Sequence, residues 1–159
     1  LELLKFKNGL YLAGGEKSEI LDFLSRKKIN LEIKYLGKLK SESMSSYLNT
    51  TMLTIIPSKE ESFCIFLAEA LCSGSPIVTT NVGGIPEVIF LAKKHLNHHQ
   101  RKIFDLFVKV SEPDKFSISK SIKKVIENKN NIDDFLAIVP EIRKSFLWEK
   151  NLKKFYDLL

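Results

Sequence analysis

Cysteine is scarce in this chain of 159 residues, which carries two thiols, Cys64 and Cys72. Two cysteines in one segment cannot build a disulfide framework, so a hydrophobic core must hold the fold and a reducing cytosol is the expected setting. No apolar run approaches the roughly 20 residues a membrane span needs. Leu1 opens directly into LELLKFKNG with no small-residue cleavage site, so no signal peptide is read, and the missing initiator Met suggests an excerpt of a longer protein. There is no helix-turn-helix, no RNA-binding signature and no basic stripe interleaved with aromatics, which removes nucleic acid from the expected partners. Internal repeats and long low-complexity tracts are absent too.

Apolar residues at 44% and charged residues at 28% suit one globular domain with a sizeable core. Lys plus Arg number 25 against 19 Asp plus Glu, a net charge of +6. Such a balance can signal anionic partners, but the lysines are scattered over helix faces. The basic run KKHLNHHQRK contains His95, His98 and His99. No carboxylate or thiol lies close to them in sequence, so they read as a solvated basic helix and no metal is expected. The surrounding segment, residues 90–104, is open to two readings: an exposed insertion, or a lysine-rich face in peripheral contact with an anionic membrane at its inner surface.

Strand patterns fall over residues 10–13, 31–36, 52–56, 77–79 and 106–110. Helix patterns alternate with them over 18–28, 41–48, a segment ending near Gly74, one from Pro86 to about Lys102, and 115–128. Residues 1–7 read as the tail of a helix, and after the polar link 128–133 two helices are split at Pro140 and near Trp148. The helix over 115–128 carries Ile118, Ile122, Val125 and Ile126 on one face. Strands and helices alternating at this spacing predict parallel βαβ units, hence an α/β fold with a doubly wound, Rossmann-like parallel sheet and helices on both faces.

The run from Ile55 to Glu87 is the most informative. A strand ends at Pro57-Ser58, a polar turn follows, and an apolar helix begins near Cys64 and stops at Gly74. Ile77-Val78 is again strand, and Gly83-Gly84 forms the next turn. The carboxyl end of a parallel strand feeding a helix N-terminus is where open α/β sheets bind ligands. Amides near Cys64, Ile65 and Phe66 would favour an anion there, most often a phosphate. Glu61 precedes the helix and Glu69 lies about 7 Å along its axis from Cys64, at 1.5 Å per residue, so the two carboxylates could bracket a diphosphate. As an isolated pair they could equally be a helix cap and a solvent-facing charge. Cys64 is a nucleophile candidate by position, because a helix N-terminus lowers a thiol pKa, or it is a small buried filler.

Pro57, Ser58, Glu61, Ser62, Phe63, Glu69 and Ala70 match the pattern P-S-x-x-E-[SG]-F-G-x-x-x-x-E-A. Gly74, Pro76, Ile77 and Val78, then Gly83, Gly84 and Glu87, match G-x-P-[VI]-[VI] and G-G-x-x-E. In these motifs the chain resembles the retaining glycosyltransferases of the two-domain B fold, the glycogen-synthase-like group 1 set, and weaker likeness extends over nearly all of it. The resemblance implies that residues 1–159 are the nucleotide-sugar (donor) binding domain of such an enzyme, truncated at its N-terminus. Glu61 would hold donor-sugar hydroxyls and is the catalytic candidate. Glu69 would take the ribose, and Ser62, Phe63, Cys64 and Ile65 would line the donor site. Gly37 and Lys38 would form the nucleobase turn, and Gly83 and Gly84 would approach the diphosphate. No cofactor or metal is implied beyond the nucleotide-diphosphate sugar itself. One departure stands out: the family has Gly where this chain has Cys64, and that Gly lets the backbone approach the donor.

The resemblance also shows what is lacking. The family's phosphate-binding Arg and Lys sit in an earlier G-R-x-x-x-x-K-G segment, on the first strand of this domain, and the acceptor-binding domain precedes it. The expected function is the donor half of a transfer to a glycan or lipid-linked acceptor, with weak donor binding and no transfer by this chain alone. The alternatives are a catalytically silent nucleotide-sugar binding or assembly module, and a B-fold nucleotide-sugar epimerase. Because the absent strand is central in the family's sheet, residues 10–13 are expected to close onto residues 52–56, or the gap to be filled by another copy or by swapped association.

Overall fold

The computed structural model describes residues 9–18, Asp22 and residues 32–147. The helices expected over 1–7 and from Trp148 onward lie outside the described residues, as does most of that over 18–28, of which Ser18 and Asp22 are described as helical. The chain divides into two compact units, Leu1–Met44 and Ser45–Leu159.

The first unit contains a parallel pair, β1 (Leu10–Ala13) and β2 (Ile33–Gly37). Leu10 pairs with Ile33 and Leu12 with Tyr35, and an irregularity between Leu12 and Ala13 brings Ala13 opposite Gly37. Apolar Leu10 and Leu12 are half-buried while Tyr11 and Ala13 face solvent, as the two-residue period of a strand requires. At the carboxyl ends the Gly14 amide donates to the Gly37 carbonyl at 2.8 Å and the Tyr35 hydroxyl to the Gly15 carbonyl at 2.9 Å. The helix α1 (Ser41–Thr50) contains the boundary between the units.

The second unit is built on three parallel strands in sequence order: β3 (Thr54–Ile56), β4 (Ile77–Thr80) and β5 (Val108–Ser111). α2 (Ile65–Ser73) connects β3 to β4, and α3 (Ile85–Ala92) and α4 (His98–Phe107) connect β4 to β5. After β5 come α5 (Lys115–Glu127), a 3-10 turn at Lys129–Asn131, and α6 (Ile132–Arg143). Every residue of β4, the central strand, is buried. Its two threonines are tolerated because their hydroxyls donate to the Ile56 and Ser58 carbonyls at 3.3 and 2.6 Å. Helices flank the sheet: α5 packs along β4 and β5, and α2 packs against α6. Phe104, Phe107 and Phe135 are 0–1% exposed and form an aromatic core, the Phe107 and Phe135 rings stacked at 5.1 Å. Gly74 ends α2 in the left-handed region (φ 77°), a conformation that calls for glycine.

Three expectations need correction. The parallel α/β architecture stands, but the described strands form two sheets rather than one, and β1 does not pair with β3. β3 is only three residues long, so closure onto β1 could add at most a few backbone hydrogen bonds of about 1 kcal/mol each. The single helix expected from Pro86 to about Lys102 is two helices. Asn97 and Gln100 form a reciprocal capping box, each side chain 2.9 Å from the other's amide, which starts a new helix at His98. Pro140 lies inside α6 instead of splitting it. Phe135, Ile138, Val139 and Ile142 are buried on both sides of it, while Pro140 and Leu136 face solvent, so water can satisfy the carbonyl the proline leaves unpaired.

Candidate functional site

Ile56 ends β3, and residues 57–64 leave the sheet at its carboxyl edge to reach Cys64, the N-cap of α2. Cys64 has ordinary backbone angles (φ −78°, ψ 82°) and makes no side-chain cap bond. The Ile65 amide donates to the Phe63 carbonyl at 2.9 Å, and the Leu67 amide to the Cys64 carbonyl at 3.1 Å. Among the described residues the Cys64 and Phe66 amides have no backbone acceptor, so two of the three expected N–H groups are available to an anion. Phe63 and Ile65 flank them, 45% and 66% exposed.

A second loop, between β4 and α3, is interlocked with the first. The Thr80 hydroxyl holds the Ser58 carbonyl, and the Gly84 amide donates to the Glu61 carbonyl at 3.2 Å. A Cβ on Gly83 (φ 51°) would sit 1.5 Å from the Glu61 carbonyl oxygen, and one on Gly84 would sit 2.1 Å from that of Ser62. No side chain fits at either position without moving the other loop. Glu61, Ser62, Phe63, Cys64, Ile65, Gly83 and Gly84 are therefore brought together.

Glu69 lies in the second turn of α2, half-buried, with its carbonyl bound by the Ser73 hydroxyl at 2.9 Å. Gly37 and Lys38 belong to the other unit, where Gly37 ends β2 with φ 71°. Cys64 is 3% exposed. Burial pushes its thiol above the ordinary cysteine value; the Leu67 amide opposes that rise, and the Glu61 carboxylate adds to it by charge and as a hydrogen-bond acceptor. Its burial supports the buried-filler reading over the nucleophile one. Among the described residues no three His, Cys, Asp or Glu side chains gather as metal ligands, and no helix is long and apolar enough to cross a membrane.

Sequence reasoning missed Thr80, whose hydroxyl ties the two loops, and the contact that makes Gly83 and Gly84 obligatory. A threonine at the last position of a fully buried strand was the available signal, since its hydroxyl had to find a partner.

With two loops and a helix N-terminus at the carboxyl edge of a parallel sheet, the comparisons with known proteins agree on a lineage. The profile of the glycosyl transferases group 1 family matches residues 7–137. The chain belongs to that family. It is 37% identical over 76 residues to an N-acetyl-alpha-D-glucosaminyl L-malate synthase of Bacillus anthracis, covering 48% of this chain and 19% of that protein. It is 24% identical over 126 residues to a D-inositol 3-phosphate glycosyltransferase of a Nocardioides species, covering 79% of this chain and 25% of that one. Sucrose-phosphate synthase from Thermosynechococcus elongatus has the same fold, with a TM-score of 0.69 at 15% identity over 94% of this chain and 38% of its own. The group 1 chain thus spans between a fifth and two fifths of the length of these relatives.

Proposed function

We propose that this group 1 glycosyltransferase chain binds a nucleotide-diphosphate sugar, as the donor half of a retaining, metal-independent transfer to a glycan or lipid-linked acceptor. The observation that carries the reading is the interlocked pair of loops holding Glu61 beside the N-terminus of α2. A diphosphate at the Cys64 and Phe66 amides would gain charge-assisted hydrogen bonds and the favourable end of the helix dipole. Those interactions strengthen as the leaving diphosphate gains negative charge, which is the requirement for lowering a barrier rather than only binding. Glu61 would accept from sugar hydroxyls and Glu69 from the ribose. Gly83 and Gly84 would approach the phosphates with their backbone, and their lack of side chains lets the second loop pack on the first, so little ordering is needed on binding. Cys64 does not oppose this: its backbone needs no glycine and its side chain is buried.

The test is a nuclear magnetic resonance titration of the chain with uridine, guanosine and adenosine diphosphate sugars at millimolar concentrations. Saturable shifts at the amides of residues 62–66, 83 and 84 are expected, with Glu61→Gln weakening the sugar nucleotide more than the free nucleoside diphosphate. No shift at those amides with any donor would overturn the reading. Product analysis of an enzyme containing this domain separates transfer from epimerisation, and donor binding without turnover there would favour the silent module.

A further inference from the structure

We infer that the corner formed by the end of α3, residues 93–97 and the first turns of α4 is a docking surface for an anionic lipid bilayer. No acidic residue lies between Glu87 and Asp105, while Lys93, Lys94, Arg101 and Lys102 and three histidines do. Two of these cations, Lys93 and Arg101, also make contacts within the fold. The Lys93 ammonium is 2.6 Å from the Asp105 carboxylate and 5.2 Å from the centre of the Phe104 ring, which pins the end of α3 to the last turns of α4. Lys94, Arg101 and Lys102 are exposed, as are His95, His98 and His99, and among the described residues neither Lys94 nor Lys102 makes an ion pair. The backbone beneath them is fixed. The Asn97–Gln100 box closes the start of α4, and the Arg101 Nε donates to the Leu96 carbonyl at 3.0 Å.

Phe90 gives this cationic corner its second property. It is 74% exposed, and Lys94 follows it by four residues. An exposed phenyl ring on the helix that leads into this cationic segment fits a surface offering phosphates at one depth and hydrocarbon just below. A polyanion such as RNA would explain the cations, but it is read with several stacking aromatics, and here Phe90 stands alone.

The experiment is co-sedimentation of the full chain with vesicles of phosphatidylcholine alone or mixed with phosphatidylglycerol, at low and high salt. The expected result is partition onto the mixed vesicles only, falling as salt screens the charges. At about 1 kcal/mol, or fivefold, per cation, the triple variant Lys94→Gln/Arg101→Gln/Lys102→Gln should lose about a hundredfold in partition. Phe90→Ser should lose about tenfold. None of these residues belongs to the proposed donor site, so donor-induced shifts at Gly83 and Gly84 should be unchanged, and failure here is distinct from failure of the donor reading. Unchanged thermal melting would show that the exposed substitutions leave the fold intact. Equal partition onto neutral and mixed vesicles, no partition at all, or full partition by the triple variant would overturn the proposal. Retention on heparin without vesicle binding would overturn it too, by assigning the cations to another polyanion.

Discussion

In the second unit of this protein, β4 is buried at every position and the core includes three phenylalanine rings; in the first, β1 and β2 have no fully buried residue among those described. Both sheets are parallel, both have Gly-bearing turns at their carboxyl ends, and both come from similar apolar patterns. Among the described residues the difference lies in cover. Three strands with helices packed along them can remove side chains from water on a scale that a two-stranded sheet cannot. Stability in this chain should therefore be local, concentrated in residues 45–147, and loops carrying the candidate chemistry rest on the stable side.

Four tests can break or sharpen that contrast. Phe135→Ala should have the largest effect, destabilising the second unit by about 3–5 kcal/mol because it removes the ring stacked on Phe107. Denaturant unfolding would measure it, and hydrogen exchange should show β4 opening while β1 and β2 barely change. Next comes the glycine comparison. Gly83→Ala drives a Cβ into the Glu61 carbonyl and should cost about 3 kcal/mol. Gly14→Ala, at φ 79° with nothing within 4 Å, should cost only the backbone strain of about 1–2 kcal/mol. Equal losses in denaturation midpoint would show that the interlock is looser than its geometry. Asn97→Ala should cost about 1 kcal/mol through loss of the capping box, read as a lower melting temperature with donor-induced shifts preserved.

The smallest effect concerns pH. The Asp114 carboxylate is held below the ordinary aspartate value by the Ser117 side chain first, then by the Ser117 and Phe116 amides, which donate to it at 3.0 and 2.8 Å. A carboxylate with a depressed folded pKa stabilises fully above its unfolded value, and that contribution fades as pH falls through the folded one. Acid titration from about pH 4 downward should therefore fray the start of α5 in the wild type. Asp114→Asn, which caps without charge, should lose that part of the pH dependence.

Much of this was legible in the sequence because the local signals agreed. Gly74 stops α2 where a left-handed cap was expected, and the strand-turn-helix of residues 54–73 follows its apolar pattern. Where signals competed, length and context decided. The apolar run through Ala92 has a helix pattern that extends into the basic segment, but the Asn97–Gln100 pair outweighs it and starts a second helix. Pro140 would end a helix in isolation, yet buried side chains on either side hold α6 together. The seam between β1 and β3 was illegible for another reason. Strand pairing depends on what lies between two edges, and no residue of either strand encodes that. At the candidate site the residue types were readable, whereas the contact between its two loops existed only in three dimensions.

That contact also bears on inheritance. Gly83 and Gly84 meet the carbonyls of Glu61 and Ser62 whether or not a donor is present. Folding alone would preserve both glycines in a descendant that had stopped transferring sugars. The Gly-Gly pair is accordingly a mark of lineage and carries little news of present activity. Glu61 is a different kind of witness. The interlock uses only its carbonyl, which any amino acid would supply, and its carboxylate, which faces the Cys64 thiol, is left out of the bonds that join the two loops.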